Sequence, residues 1–117
     1  MARTQGQTIR QNEAGTIKSL RTLFKAETTY KSTTGNGDYG TLEELRKARM
    51  IDRVLAESHR YGYLFSIISE KPSSFEITAV PRTYGRTGRR SFYMDETGVI
   101  RAADKNGDEA TAADRPL

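Results

Sequence analysis

Residues 63–81 read YLFSIISEKPSSFEITAVP. Tyr63, Phe65 and Ile67 fall on alternate positions, and so do Phe75, Ile77 and Ala79. Alternate residues of a strand share one face, so these runs predict two strands, each with a buried side. EKPSS at 70–74 carries turn residues, including Pro72, and makes the pair antiparallel. Pro81 ends the second strand, because proline cannot donate to the ladder.

Downstream, RTYGRTGRR at 82–90 is a loop rich in Gly and Arg. Ser91–Met94 and Val99–Arg101 predict a further hairpin, turned by DETG with Gly98 where positive φ is needed. From Ala102 onward the chain is small and polar, a tail lying on the sheet or free.

Upstream, STTGNGDYG at 32–40 is a loop by composition. Thr41 with Glu44 three residues later forms a capping box, predicting a short helix to Lys47 or Ala48. Asp52 starts another turn within Ile51–Glu57. Leu42, Leu45, Met50, Ile51 and Leu55 would anchor this region to the core. Residues 4–31 give the clearest helical signal. Ile9, Ala14, Ile17, Leu20, Phe24 and Thr28 make a narrow stripe, with Lys18, Arg21, Lys25 and Glu27 off it. The first turns carry no large apolar residue before Ile9 except Met1, so they fray or belong to a helix that packs elsewhere. Met1 itself reads as an engineered start inside a longer helix.

A helix followed by strands predicts an α+β fold: a long N-terminal α-helix packed on a three- to four-stranded antiparallel sheet. Ile17, Leu20 and Phe24 would dock on Phe65, Ile67, Phe75 and Ile77. The 117 residues suit one domain, divided into the helix (4–31), a loop with short helices (32–60), the sheet (61–101) and the tail (102–117).

Composition narrows the chemistry. The net charge is +4, from 19 Lys and Arg against 15 Asp and Glu. With no Cys, disulfides and thiolate zinc sites are excluded. One histidine, His59, excludes a multi-histidine metal site. Its neighbours Ser58 and Glu57 cannot build a serine triad, whose members must converge in space. Glu43, Glu44 and Asp52 read as helix caps. Neither GNG at 35–37 nor GRTG at 85–88 has the context of a phosphate loop. The chain is not expected to be an enzyme or to take a small-molecule substrate. No run of about 18 apolar residues is present to span a bilayer.

Two constellations carry possible binding chemistry. Asp104, Asn106 and Asp108 in DKNGD stand at i, i+2 and i+4, which can turn three oxygens onto a hard cation such as calcium. The competing reading is an Asx-rich turn. Arg82, Arg86, Arg89 and Arg90, with Tyr84 among them, form a basic patch suited to phosphate contact and base stacking, hence to DNA. The competing reading is a solvated loop whose arginines pair with acidic neighbours or with another subunit.

Several stretches, taken in order, resemble bacterial type IV pilins and the pseudopilins of type II secretion. They are NEA at 12–14, SLRT at 19–22, TYKST at 29–33, GDYGTLEEL at 37–45, GYLF at 62–65, SFYMDETGVIR at 91–101 and ATAADRPL at 110–117. The resemblance spans Asn12 to Leu117 and implies a structural subunit of a pilus or pseudopilus. Such a subunit is held in the inner membrane by a hydrophobic helix, and then polymerises with identical subunits into a periplasmic or extracellular filament. Its partners would be copies of itself, through the N-terminal helix, and the assembly machinery. Residues 4–31 would be the polar continuation of that helix, and this chain without the hydrophobic segment would be soluble. Some pseudopilins hold calcium in a C-terminal loop, which implies the same for Asp104, Asn106 and Asp108. The family's cleavage motif, its hydrophobic segment and the acidic residue near the mature N-terminus are absent here, as is the cysteine pair of many pilins. The alternative is a small nucleic-acid-binding module using Arg82–Arg90.

Overall fold

The computed structural model describes residues 5–56, 59–71 and 73–117. The fold is α+β. Helix α1 (Gln5–Ser32) is followed by α2 (Leu42–Lys47) and α3 (Arg53–Ala56), then by strands β1 (His59–Arg60), β2 (Tyr63–Lys71), β3 (Ser74–Pro81), β4 (Arg90–Asp95) and β5 (Arg101–Asp104). Among the described residues the sheet runs in the order β1-β2-β3-β4-β5, every neighbour antiparallel. That is four substantial strands plus the two-residue β1, one more than the sequence pattern predicts. Glu57, Ser58 and Pro72 lie outside the described residues.

At 1.5 Å per residue, the 28 residues of α1 make a rod of about 42 Å. That accounts for most of the molecule's longest dimension of 46 Å. The buried face of α1 is Ile9, Glu13, Thr16, Leu20, Leu23, Glu27 and Tyr30, at alternating spacings of four and three. This corrects the expected stripe. Ala14 and Thr28 are exposed, Ile17 and Phe24 flank the core half-buried, and Glu27 is wholly buried. From Ile9 onward the helix packs: Ile9 is buried, and Asn12 and Glu13 bond to a distant loop.

The helix-facing side of the sheet is apolar through its middle, with Tyr63 and Arg90 toward one end. Ile77 stands opposite Met94 and Ala79 opposite Phe92, so these four share the face that Phe65 and Phe75 also supply. Tyr63 and Phe92 meet at 5.7 Å between ring centres, and Tyr39 sets its edge on Phe75 at 4.7 Å. Leu45 and Leu55 close the core from α2 and α3.

The capping box at α2 forms as the sequence predicts. Glu44 N–H donates to the Thr41 hydroxyl oxygen at 3.2 Å, and Thr41 N–H donates to Glu44 Oε1 at 2.9 Å. Asp52 Oδ1 accepts from Leu55 N–H at 2.8 Å and so starts α3. Gly98 turns the last hairpin with φ 78°. The partner strand lies further along than expected, at Arg101–Asp104 and not Val99–Arg101. The tail returns along β5. Ala102 N–H donates to Arg115 C=O, and Leu117 N–H donates to Ile100 C=O, each at 2.9 Å. The tail thus covers the sheet's last edge.

Candidate functional site

The 82–90 loop is braced on three sides. Its start continues the sheet, with Arg82 N–H donating to Gly62 C=O at 2.8 Å. Its middle meets α1, where Asn12 Nδ2 donates to Thr87 C=O at 3.0 Å. Its end is gripped by Glu13. One oxygen of that carboxylate accepts from Arg89 N–H (3.1 Å) and Arg90 N–H (3.0 Å), and the other accepts from Arg90 Nε (2.9 Å). The Tyr63 hydroxyl donates to Arg90 C=O at 2.5 Å from below. Burial drives that hydroxyl's pKa upward, so it keeps its proton as a donor.

Tyr84 joins the two binding candidates of the sequence. Its hydroxyl lies 2.7 and 2.9 Å from the two carboxylate oxygens of Asp104, to which it donates. The bond holds the Asp104 carboxyl below its usual range and pushes the Tyr84 hydroxyl above its own. Asn106 N–H donates to Asp104 Oδ1 at 3.1 Å, and Asn106 and Gly107 take positive φ. The turn closes as Asp108 N–H donates to Lys105 C=O, while Asp108 C=O accepts the Ser91 hydroxyl at 2.6 Å. These contacts build an Asx turn from D-K-N-G-D. The Tyr84 hydroxyl already occupies part of the Asp104 carboxylate that a calcium ion would use. Among the described residues, no group of three or more His, Cys, Asp or Glu side chains is placed to hold a metal.

The four arginines therefore differ. Arg90 is committed to Glu13 and stacks over Phe92 at 5.4 Å. Arg89 stands beside the Tyr84–Asp104 pair, where its charge opposes the rise at Tyr84 and adds to the fall at Asp104. Arg82, Arg86 and Arg89 are exposed. Along α1, Arg10, Lys18, Arg21 and Lys25 all point outward, whereas both acidic residues of the helix, Glu13 and Glu27, are buried. A groove of about 230 Å³ runs beside this face, lined by Lys18, Ser19, Thr22, Asp52, Leu55 and Tyr61. It falls short of the roughly 300–1,000 Å³ common for small-molecule sites.

Glu27, toward the C-terminal end of α1, is the second buried carboxyl. Oε1 accepts from Gly40 N–H at 2.8 Å, and Oε2 has no hydrogen-bond partner among the described residues. Burial is the main force raising its pKa from 4.5 to about 7; the Gly40 bond opposes the rise and the Glu44 charge adds to it. The unfolded chain binds the proton less tightly. Glu27's contribution is therefore fully present below pH 4.5 and is lost as pH rises through 7. At about 1.4 kcal/mol per pH unit, the expected loss in unfolding free energy is about 3 kcal/mol. Urea titrations at pH 4.5 and 8 check this, with Glu27→Gln as the control that removes most of the difference.

Sequence reasoning missed Glu13 and Glu27 because a stripe drawn through apolar residues leaves charged positions out. The signal that finds them is the unbroken four-three spacing of the buried face once polar members are admitted. Tyr30, also on that face, has its hydroxyl on Glu44 Oε2 at 3.2 Å. The side chain of His59 lies outside what the structure describes. No described helix is long and apolar enough to cross a membrane. No family model matches this chain, and comparison with curated proteins and with solved structures likewise gives no match.

Proposed function

We propose that this chain is the head of a self-assembling structural subunit, of the type IV pilus or type II secretion pseudopilus kind, and not an enzyme. The observation that carries the reading is the architecture: a long helix laid on one face of an antiparallel sheet, its outer face polar and exposed. The segments from Asn12 to Leu117 that resemble pilins support it. In this reading a hydrophobic helix continuous with α1 anchors the full-length protein in the inner membrane. It then drives polymerisation, and contacts between heads set the register. The exposed α1 face, the 33–38 loop, the 82–90 loop and the tail are the surfaces offered to neighbouring subunits.

Two measurements test it. The native reading frame before Ala2 should encode about twenty apolar residues, the length that spans a bilayer. A stop codon or a soluble domain there would overturn the proposal. Without that segment, the chain should sediment as a monomer at micromolar concentration, and stable polymers would contradict the assigned driving force.

A second reading rests on the braced loop presenting Arg82, Arg86 and Arg89: a small nucleic-acid-binding module. Binding that weakens steeply with added salt would support it, and no binding at low salt would remove it.

A further inference from the structure

Glu27 sits where the chain leaves α1 and returns toward α2. Its carboxyl is wholly buried and holds one thing, the amide of Gly40. Residues 33–38 between them are largely exposed, and Asn36 and Gly37 have positive φ. The near limb of this loop is tied to α1 by backbone bonds: Gly35 N–H donates to Tyr30 C=O, and Gly37 N–H to Lys31 C=O, each at 2.7 Å. The far limb is held to α1 through a side chain instead. Its ties to the body of the fold are the Gly40–Glu27 bond, Tyr39, which lies on Phe75 with Lys31 at 4.7 Å from its ring, and the Thr41 capping box on α2.

We propose that the Glu27 carboxyl is a proton-operated latch on the 33–41 loop: closed while Glu27 is a neutral acid, and released when it becomes a carboxylate.

The physical case is one of solvation. A neutral carboxyl can be buried with one hydrogen bond at modest cost. A carboxylate with one donor and a bare second oxygen cannot, because the charge needs several donors or a counter-ion. The surroundings supply neither. Glu44 on α2 carries the same sign. Tyr30 on α1 gives its hydroxyl to Glu44 and not to Glu27. Asp38 in the loop adds negative charge beside Tyr30. Lys31 lies over Tyr39, and Lys47 bears on Glu44. On the helix-facing side of the sheet, Tyr63 is committed to the Arg90 carbonyl and the Arg90 guanidinium to Glu13. The carboxylate can therefore be solvated by lifting Gly40 and letting water reach Oε2. The elevated pKa places the change in the range cells experience. The latch does not depend on the filament reading; it is a property of this fold alone.

The test is amide hydrogen exchange of Gly40 and its loop neighbours, read by NMR at pH 6 and pH 8 and corrected for intrinsic rates. With the carboxyl titrating near 7 when closed and near 4.5 when open, the opening equilibrium should rise roughly tenfold between these pH values. Glu27→Gln should hold it within about twofold. Wild-type exchange that does not change, or a tenfold rise that persists in Glu27→Gln, would overturn the latch. Should the variant fold poorly, the carboxyl carbon of Glu27 can be titrated in the wild-type protein. A midpoint near 7, shared with loop chemical shifts, supports the proposal; a midpoint near 4.5 rejects it.

Discussion

Glu13→Ala should destabilise the chain by about 4 kcal/mol, close to half the stability of an ordinary domain of this size. The carboxylate is buried on α1 and accepts three hydrogen bonds across a separation of more than seventy residues. Two of the donors are the backbone amides of Arg89 and Arg90. Alanine leaves both without this acceptor, and an amide orphaned out of reach of water costs about 1–3 kcal/mol, with these two part-buried. The ion pair with Arg90 adds little, because that guanidinium is 42% exposed and solvent screens it. This ordering makes the prediction specific. Arg90→Ala should cost far less than Glu13→Ala, since it leaves both backbone bonds in place. Glu13→Gln should fall between them, because one amide oxygen can still accept. Urea denaturation of the three variants decides the matter. A loss below 1 kcal/mol for Glu13→Ala would mean that water replaces the carboxylate and that the loop is not held by α1.

Local signals in the sequence were readable because their partners are local. The Thr41–Glu44 capping box closes over three residues, and Asp52 caps α3 over the same distance. The alternation in 63–81 fixes both the strands and the face they bury. Gly98 marks its own turn. What was not readable depends on partners far along the chain. Nothing near Glu13 announces that residues 89 and 90 will supply its donors, and nothing near Glu27 announces Gly40. A period drawn through apolar residues alone therefore slid off the true helix face, onto Ala14 and Thr28. The candidate sites failed to separate for the same reason. The Arg-rich loop and the D-K-N-G-D turn looked independent, yet Tyr84 and Asp104 bind them into one surface across twenty residues. Four arginines in a row of nine residues read as one basic patch, but Glu13 removes Arg90 from it. The expected strand at Val99–Arg101 shifted because β4 pairs Phe92 with Ala102 and Ser91 with Ala103. Small residues gave no alternation to follow there.

Gly88→Ala is expected to have an effect of similar size for a steric reason. Gly88 is buried, and a methyl group built on it would overlap the hydroxyl of Tyr63 and stand 2.5 Å from that ring. Tyr63 cannot step aside cheaply. It is wholly buried, packs against Phe92, and anchors the 90 carbonyl through its hydroxyl. Gly88 is no freer, since its carbonyl accepts from Gly85 N–H at 2.8 Å within the braced loop. Either the ring loses its packing or the loop lifts from α1. The first option alone approaches the roughly 3–5 kcal/mol of deleting a core aromatic. About 4 kcal/mol is therefore expected from thermal or urea unfolding. A double-mutant cycle tests whether the Tyr63 hydroxyl is the obstacle. In the wild-type background Tyr63→Phe should destabilise, because it leaves the Arg90 carbonyl unpaired. In the Gly88→Ala background the same change removes the nearest of the overlapping atoms but leaves ring carbons at 2.5 Å, so its cost should shrink. Additive losses would show that the Tyr63 hydroxyl is not what excludes alanine, and would leave the obstacle to the ring carbons at 2.5 Å.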